Sequence, residues 1–353
     1  MTPSSLTFLT TYQCTAACRE CCFQSSPHNQ SRQITLAELT DIIDQAAVDF
    51  TSLQLVVFSG GECFLLGEAL YRAIAHATER KLLTRCVTNG YWGKQPTKAR
   101  KMAEKLSQAG LREINFSTGD DHQKYVPVQS VVNAALACAL RDIRTMVVVE
   151  GHSNSRFVLQ DLLKHPDIVS FFKMDKKAAN IRLIQNIWIP FNTDRKIEHP
   201  DLLQLRHRLN DGGDTGCNQI LSGLVITPDL QLASCCGLTL EYIDELKLGK
   251  VENNLKELYN GQLDDLMKLW LFTDGPQKIL EFVRTKAHDI ESDIHAVHPC
   301  QACASLFNDA NVKRAIITHY EEIVNDVTFR FHLKRERVTY AEQNEREMRC
   351  VPV

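Results

Sequence analysis

The feature that most constrains the fold is an alternation of short apolar runs with longer amphipathic segments. Residues 53–58 (LQLVVF) are typical of a strand buried on both faces, and residues 35–38 (TLAE) form a capping box that opens a helix. Strands are predicted at 5–12, 53–58, 84–90, 112–117, 144–151 and 181–189, and helices at 35–50, 66–81, 98–110, 128–140 and 158–165. Repeated strand–helix units make a parallel sheet covered by helices, so we predict an α/β fold, a partial (β/α)6 barrel.

Length and composition exclude several classes of protein. The 353 residues suffice for one large α/β domain and a smaller attachment, and no run of eighteen apolar residues predicts a membrane span. The 40 basic and 43 acidic residues create no basic field for nucleic acid. Residues 1–12 have no secretory signal, so we expect a cytoplasmic protein in a reducing compartment.

Thirteen cysteines need an explanation other than disulfides, and most fall in two groups. The first group is Cys14, Cys18, Cys21 and Cys22, and the second is Cys217, Cys235, Cys236, Cys300 and Cys303. The remaining cysteines, for which small buried side chains are expected, are Cys63, Cys86, Cys138 and Cys350.

The first group has the spacing of an iron–sulfur ligand loop. Cys14, Cys18 and Cys21 form C-x3-C-x2-C directly after the first predicted strand. Three thiolates can hold three corners of a 4Fe-4S cubane and leave the fourth iron open. A structural zinc site is the alternative, but zinc needs four ligands, and Cys22 would then have to bind beside Cys21. We therefore favour an iron–sulfur cluster.

Other marked residues follow the next strands at the same edge of the predicted sheet, where parallel sheets carry their sites. They are Gly60, Gly61 and Glu62 after the second strand, Asn89 after the third, and Ser117 and Asp120 after the fourth.

These segments together resemble the radical S-adenosylmethionine (radical SAM) superfamily, through residues 14–21 (CTAACREC), 59–62 (SGGE) and 88–90 (TNG). The resemblance implies that S-adenosylmethionine binds the open iron and is cleaved by one electron, supplied by a donor such as flavodoxin or ferredoxin. The resulting 5′-deoxyadenosyl radical takes a hydrogen atom from the substrate. Cofactor-binding residues are implied at Gly60 and Gly61 for close backbone approach to the methionine, Glu62 for its ammonium group, Ser117 for the ribose, and Asn89.

The chain departs from the family pattern at two positions. Glu20 stands before the third cysteine, where an aromatic residue is usual, and Cys63 follows GGE, where proline is usual. These departures leave open whether Cys22 or Cys63 approaches the cluster. Loop packing is the expectation for both thiols.

The second group resembles the SPASM extension or its shorter twitch form. Residues 223–236 (GLVITPDLQLASCC) predict a hairpin turning near Asp229 and Leu230, and residues 298–303 (HPCQAC) add a C-x2-C pair. Leu230 occupies the family's glycine position. The resemblance implies one auxiliary 4Fe-4S cluster on Cys217, Cys235, Cys300 and Cys303, with structural zinc as the alternative. The predicted parts are a barrel (1–210), a small SPASM/twitch-like iron–sulfur domain (211–310) and a C-terminal helix and tail (311–353).

Cys236 has two further interpretations. It could replace Cys235 as a ligand, or it could be a free thiol that returns a hydrogen atom to a substrate radical. Residues 116–127 carry other candidate catalytic groups, Asp120, Asp121, His122 and Tyr125, any of which could accept a proton. Helix capping and turn formation are the alternative roles for these residues. For Trp188 we expect a structural role.

The resemblance implies an enzyme that crosslinks or oxidises a ribosomally made peptide. Thirteen residues precede Cys14, so we expect no fused leader-binding domain at that end. Capture of a precursor peptide would then fall to the barrel mouth, to residues after Cys303 or to a separate leader-binding protein. Small-molecule chemistry in cofactor or natural-product biosynthesis is the alternative. A non-enzymatic iron–sulfur carrier or sensor is disfavoured, because a carrier has no use for an S-adenosylmethionine pocket.

Overall fold

A nine-stranded sheet organises the computed structural model, which describes residues 2–174, 176–189, 216–252, 254–287 and 296–349. The strands are β1 (Ser5–Leu9), β2 (Leu55–Ser59), β3 (Leu83–Thr88), β4 (Glu113–Gly119), β5 (Arg144–Gly151), β6 (Ile181–Ile187), β7 (Gly223–Ile226), β8 (Gln231–Ala233) and β9 (Lys247–Lys250). Their order is β6-β5-β4-β3-β2-β1-β7-β8-β9. Strands β1 to β6 are parallel, as predicted, and the sheet is open.

Helices follow the strands in the predicted alternation. They are α1 (Leu36–Asp49), α2 (Glu68–Glu79), α3 (Pro96–Gln108), α4 (Asp120–Gln123), α5 (Val128–Ala139), α6 (Leu159–Leu163), α7 (Pro166–Met174), α8 (Leu255–Gly261), α9 (Leu266–Lys286), α10 (Pro299–Asn308), α11 (Ala310–His319) and α12 (Val324–Arg349). None of the helices in the described ranges is long and apolar enough to span a membrane.

The ends of two helices show how local sequence acts. The predicted capping box of α1 is confirmed, since Glu38 N–H donates to Thr35 Oγ1 at 3.3 Å and Thr35 N–H donates to the Glu38 carboxylate at 2.8 Å. The helix predicted at 66–81 begins later than expected. Gly67, with φ +57°, separates a 3-10 turn at Cys63–Leu66 from α2.

The two faces of the sheet bury separate apolar clusters. On the face covered by α1 and the helices that connect the parallel strands, Leu6 and Phe8 of β1 pack with β2 and with those helices. On the opposite face, Leu9 of β1 packs with Val225 of β7, Ala233 of β8 and the C-terminal helices. Strand β1 therefore contributes to both cores, because successive side chains of a strand point to opposite faces.

The predicted hairpin is present and joins the same sheet. Strand β7 pairs in parallel with β1, with Ser5 opposite Gly223, and in antiparallel fashion with β8. Leu230 in the turn has φ +61°, a left-handed conformation in which glycine is the least strained residue.

Candidate active site

A cavity of about 290 Å³ opens at the carboxyl ends of the parallel strands. Its lining includes the first cysteine group (Cys14, Cys18, Cys21 and Cys22), the glycines and Asn89 after β2 and β3, and Ser117, His122, Glu150 and Trp188 on later elements. A larger groove of about 550 Å³ lies beside α1, but acidic residues line it and no thiol does. The candidate site is therefore the smaller cavity, where reactive groups from several strands converge.

The first cysteine group meets backbone and side-chain donors in this cavity. The Ala16 N–H donates to Cys14 Sγ at 3.4 Å, Asn89 Nδ2 lies 3.5 Å from the same sulfur, and the Ser25 N–H donates to Cys21 Sγ at 3.4 Å. Three thiols at one cavity, supported by N–H donors, fit a 4Fe-4S cubane. In the part of the chain that the structure describes, no three His, Cys, Asp or Glu side chains are arranged to hold a single metal ion.

The protein environment shifts the pKa values of these thiols in opposite directions. Burial raises the pKa of Cys14 to about 11 and that of Cys18 to about 12. A hydrogen bond from Cys22 lowers the pKa of Cys21 to about 5. Cys22 therefore lies against a candidate ligand, whereas Cys63 donates to the Val87 carbonyl at 3.3 Å and is not among the residues that line the cavity.

Gly60 and Gly61 bring the end of β2 against the backbone that precedes the first cysteine. The Gly61 N–H donates to the Thr11 carbonyl at 2.7 Å, and the Glu62 N–H donates to the Gln13 carbonyl at 3.1 Å. A Cβ atom at Gly61 would lie only 2.2 Å from the Gln13 carbonyl oxygen. Close backbone approach is thus a property of the folded chain itself, because these glycines set the position of the cysteine loop.

Glu62 is fully buried and faces the end of β3. Its carboxylate accepts from Thr88 Oγ1 at 2.9 and 3.0 Å, from the Asn89 N–H at 3.0 Å and from the Phe64 N–H at 3.1 Å. Burial raises its pKa to about 7 despite these donors. The carboxylate is not in the cavity lining, and its observed contacts join β2 to β3; its contact with the ammonium group of S-adenosylmethionine stays a prediction.

The four candidate catalytic residues after β4 separate into different environments. Asp120 accepts from the backbone N–H groups of Arg156 and Phe157 at 2.8 and 2.9 Å, and buried Asp121 pairs with Lys124 at 2.5 Å. Tyr125 is 45% exposed. Of the four, His122 lines the cavity.

Sequence reasoning missed the carboxylate that faces His122. Glu150, the penultimate residue of β5, places Oε2 at 3.3 Å from His122 Nδ1. Burial raises the pKa of Glu150, and the neighbouring His122 imidazole opposes this rise when it is protonated. The position of Glu150 at the end of a predicted strand was the available signal. Trp188, for which a structural role is predicted, also lines the cavity and forms a hydrogen bond with Glu150.

The second cysteine group lies beside residues 237–239, on the side of this segment opposite to the cavity. A Cβ atom at Gly237 would lie 3.3 Å from Cys300 Sγ and 3.4 Å from Cys235 Sγ, so both sulfurs face one point. Cys217 and Cys303 belong to the same cluster of thiols. A negative charge on Cys217 raises the pKa of Cys235, and charges on Cys235, Cys300 and Cys217 raise the pKa of Cys303. Burial raises the pKa of Cys235 to about 12 and that of Cys300 to about 11.

Cys236 is exposed, although its sequence neighbour Cys235 is buried. Its thiol donates to Gln219 Oε1 at 3.3 Å. Although the residue as a whole is exposed, surrounding protein atoms partly shield its sulfur from water and raise its pKa, and the charge of Arg85 on β3 opposes this rise. Cys86 and Cys138 are buried as expected, and Cys350 lies outside the described residues.

Residues 8–130, which carry β1 to β4 and most of the cavity lining, match the family model of the radical SAM superfamily. This stretch is a radical SAM domain. The chain accordingly carries a radical SAM domain and is an enzyme, and a domain of this family implies a 4Fe-4S cluster and S-adenosylmethionine as cofactors.

Three alignments extend over most of this chain. Over 330 residues it is 22% identical to YydG of Bacillus subtilis (strain 168), a protein assigned provisionally to peptide biosynthesis, with 89% of this chain and 95% of YydG covered. The solved structure of anSMEcpe with bound AdoMet has a TM-score of 0.51 at 13% identity, covering 92% of this chain and 99% of that one. Its complex with AdoMet and the Cp18Cys peptide gives 0.49 at 13% identity over the same shares. The first of these structures shows a shared fold.

Proposed function

We propose that this radical SAM enzyme crosslinks or oxidises a ribosomally made peptide in the cavity at the carboxyl ends of β1 to β6. The observation that carries the proposal is the convergence of three thiols on a cavity whose far side presents His122 and Glu150. The similarity to YydG supports a peptide substrate.

The first cysteine group supplies the proposed ligands of the radical cluster. Cys14, Cys18 and Cys21 would hold a 4Fe-4S cluster, which when bound supplies the electron that cleaves S-adenosylmethionine to a 5′-deoxyadenosyl radical. Asn89 and Ser117 line the space beside these thiols and are the proposed cofactor contacts. Gly60, Gly61 and Glu62 act in the proposal by fixing the loop and strand ends that carry those contacts.

The second group would form a closed metal site. Cys217, Cys235, Cys300 and Cys303 are the proposed ligands of an auxiliary 4Fe-4S cluster, which when bound offers a one-electron acceptor. Backbone N–H groups of Gly237, Leu238 and Thr239 donate to the sulfurs of Cys235 and Cys300, as is common around iron–sulfur clusters. Structural zinc is the alternative occupant, although the described side chains, these four thiols included, are not arranged around a single ion. Metal analysis separates the two.

His122 is the proposed proton acceptor. When a substrate C–H group is oxidised, the hydrogen atom passes to the deoxyadenosyl radical, one electron leaves to the acceptor, and one proton must be removed from the new product. His122 lies in the cavity for this last task, and Glu150 at 3.3 Å would orient the imidazole and stabilise its protonated form.

Anaerobic reconstitution tests the proposal directly. The protein should hold roughly eight irons, and with dithionite it should convert S-adenosylmethionine to 5′-deoxyadenosine. The triple variant C14A/C18A/C21A should keep roughly four irons and lose this conversion, whereas the buried-thiol control C138A should keep both. Turnover in the triple variant would overturn the cluster assignment. Zinc without iron at the remaining site would make the second group structural.

The peptide substrate is tested with short peptides encoded in neighbouring reading frames. Mass spectrometry should detect loss of two hydrogens from one of them, with 5′-deoxyadenosine formed in step. A C300A/C303A variant that stays folded by circular dichroism should still form 5′-deoxyadenosine but yield no modified peptide. If none of these peptides is altered while a small molecule is, the alternative substrate class is correct.

A second candidate function is peptide epimerisation, with the exposed Cys236 thiol as hydrogen-atom donor. Cys236 is not among the residues that line the cavity, so this candidate requires the bound peptide to extend from the cavity to Cys236. Four thiols of the second group suffice for a closed site, which leaves the Cys236 thiol to donate a hydrogen atom to a substrate radical. The thiyl radical left on Cys236 would return to the thiol by taking one electron from the flavodoxin or ferredoxin donor and one proton from solvent. The outcome would be redox-neutral, with unchanged peptide mass in water and one added deuterium in D2O. C236S should then abolish this product while 5′-deoxyadenosine formation continues. An oxidised peptide from C236S would exclude this candidate.

Partners follow from the proposed chemistry. A cytoplasmic flavodoxin or ferredoxin would supply the electron, and a separate protein could present the leader segment of the precursor peptide.

A further inference from the structure

Residues 237–242, which we name the shared wall, lie between the cavity and the second cysteine group. The Leu238 side chain lines the cavity. On the opposite side, the Leu238 and Thr239 N–H groups donate to the Cys300 sulfur, and Thr239 Oγ1 donates to the Cys300 carbonyl at 3.1 Å. One short stretch of backbone therefore contacts both candidate metal sites.

The same wall holds the loop that carries the first cysteine group. The Tyr12 hydroxyl donates to Glu241, and the Tyr12 ring stacks on Phe23 with centroids 6.1 Å apart. Tyr242 hydrogen-bonds Gln24. Tyr12 precedes the cysteines of the loop and Gln24 follows them, so the shared wall contacts the loop at both ends.

The Tyr12–Glu241 contact has the properties of a strong link. Tyr12 is partly buried, and its hydroxyl donates to Oε1 of the Glu241 carboxylate. Lys247 of β9 lies 3.7 Å from the same carboxylate and holds it in place. A hydrogen bond to a charged group contributes more than a neutral one, particularly where water has limited access.

We propose that Tyr12 and Glu241 are positioning residues through which the occupied second cysteine site sets the affinity of the cavity for S-adenosylmethionine. The inference rests on the proposed function, because it needs metal at both cysteine groups. Ligation of Cys235 and Cys300 fixes the shared wall, the wall fixes Tyr12, and Tyr12 fixes the loop that begins two residues later at Cys14.

The test measures S-adenosylmethionine binding by anaerobically reconstituted protein, with iron content and melting temperature recorded on the same samples. Y12F should keep the iron content of the native protein, while the dissociation constant rises about fivefold or more. E241Q keeps a hydrogen-bond acceptor and should give a smaller rise. The control Y320F removes the hydroxyl of a tyrosine that is 41% exposed in the C-terminal helical region and should leave binding unchanged.

A variant cycle separates coupling from ordinary destabilisation. C300A/C303A should raise the dissociation constant by a similar factor, and adding Y12F to it should raise it little further, since the link is already released. Faster hydrogen exchange in residues 12–24 of C300A/C303A supports the same conclusion without relying on activity. If C300A/C303A does not fold, the single variant C303S replaces it in the same cycle, with the iron content showing that the second site has lost its metal.

Two results would overturn the inference. One is a lower melting temperature for Y12F with an unchanged dissociation constant, which would make the contact purely structural. The other is fully additive effects of Y12F and C300A/C303A. Failure of the proposed function looks different, because the unsubstituted protein would then bind neither roughly eight irons nor S-adenosylmethionine.

Discussion

The buried carboxylate of Glu62 joins the ends of two strands at the cost of carrying its charge away from water. Its three donors, Thr88 Oγ1 and the N–H groups of Phe64 and Asn89, favour the ionised form, yet burial prevails and raises its pKa to about 7. Carboxylates of this kind make folding depend on pH, because the folded state binds a proton more tightly than the unfolded state does.

Glu62 therefore predicts a specific pH dependence. With a folded pKa raised above the unfolded value, its contribution to stability is fully present below pH 4.5 and is lost as pH rises through about 7. The free energy of unfolding of the native protein should fall relative to that of E62Q between pH 5 and pH 8, by up to about 3 kcal/mol. Urea titrations of metal-free, reduced protein across this range provide the measurement. A pH-independent difference would show that Glu62 ionises normally when folded.

At the scale of elements, the β2 turn and the cysteine loop meet through backbone alone. Gly61 permits this approach because the Gln13 carbonyl occupies the place of a Cβ atom. The turn and loop belong to segments separated by the whole of α1, so their contact is long-range in sequence.

Replacing Gly61 by alanine should separate the turn from the loop. We expect G61A to lose about 3 kcal/mol of stability, at the upper end of the cost of overpacking. Gly261 is the matched control, since a Cβ there has no neighbour within 4 Å and its φ of −57° suits alanine. Chemical denaturation of both variants measures the difference. Equal stability of G61A and G261A would mean that the turn relaxes freely.

At the scale of the whole molecule, the sheet crosses the proposed boundary between residues 210 and 211. Strand β7 lies on the edge of β1, and Leu9 belongs to the same apolar cluster as the C-terminal helices. The part that follows residue 210 therefore completes the barrel sheet as well as carrying the second cysteine group.

A chain ending at residue 210 should consequently fold poorly. It would expose the edge of β1 and the face of Leu9, which favours association between copies. We expect aggregated protein in size-exclusion chromatography, in contrast to the full chain prepared in parallel. A monomeric fragment that binds roughly four irons would contradict this expectation and would establish residues 1–210 as an independent unit.

The sequence by itself determined the elements and the positions of the candidate ligands. The alternation of apolar runs and capped helices predicts β1 to β6, and the confirmed capping box of Thr35 and Glu38 shows why: these signals act over a few residues. The C-x3-C-x2-C spacing is equally local, and the match of residues 8–130 to the radical SAM family agrees with it. Partners distant in sequence were decided only by the tertiary structure. Glu62 faces Thr88, Glu150 faces His122, and Tyr12 reaches Glu241 across more than two hundred residues. No local pattern encodes such pairs, because they depend on the order and register of strands, which the packing of the complete sheet decides.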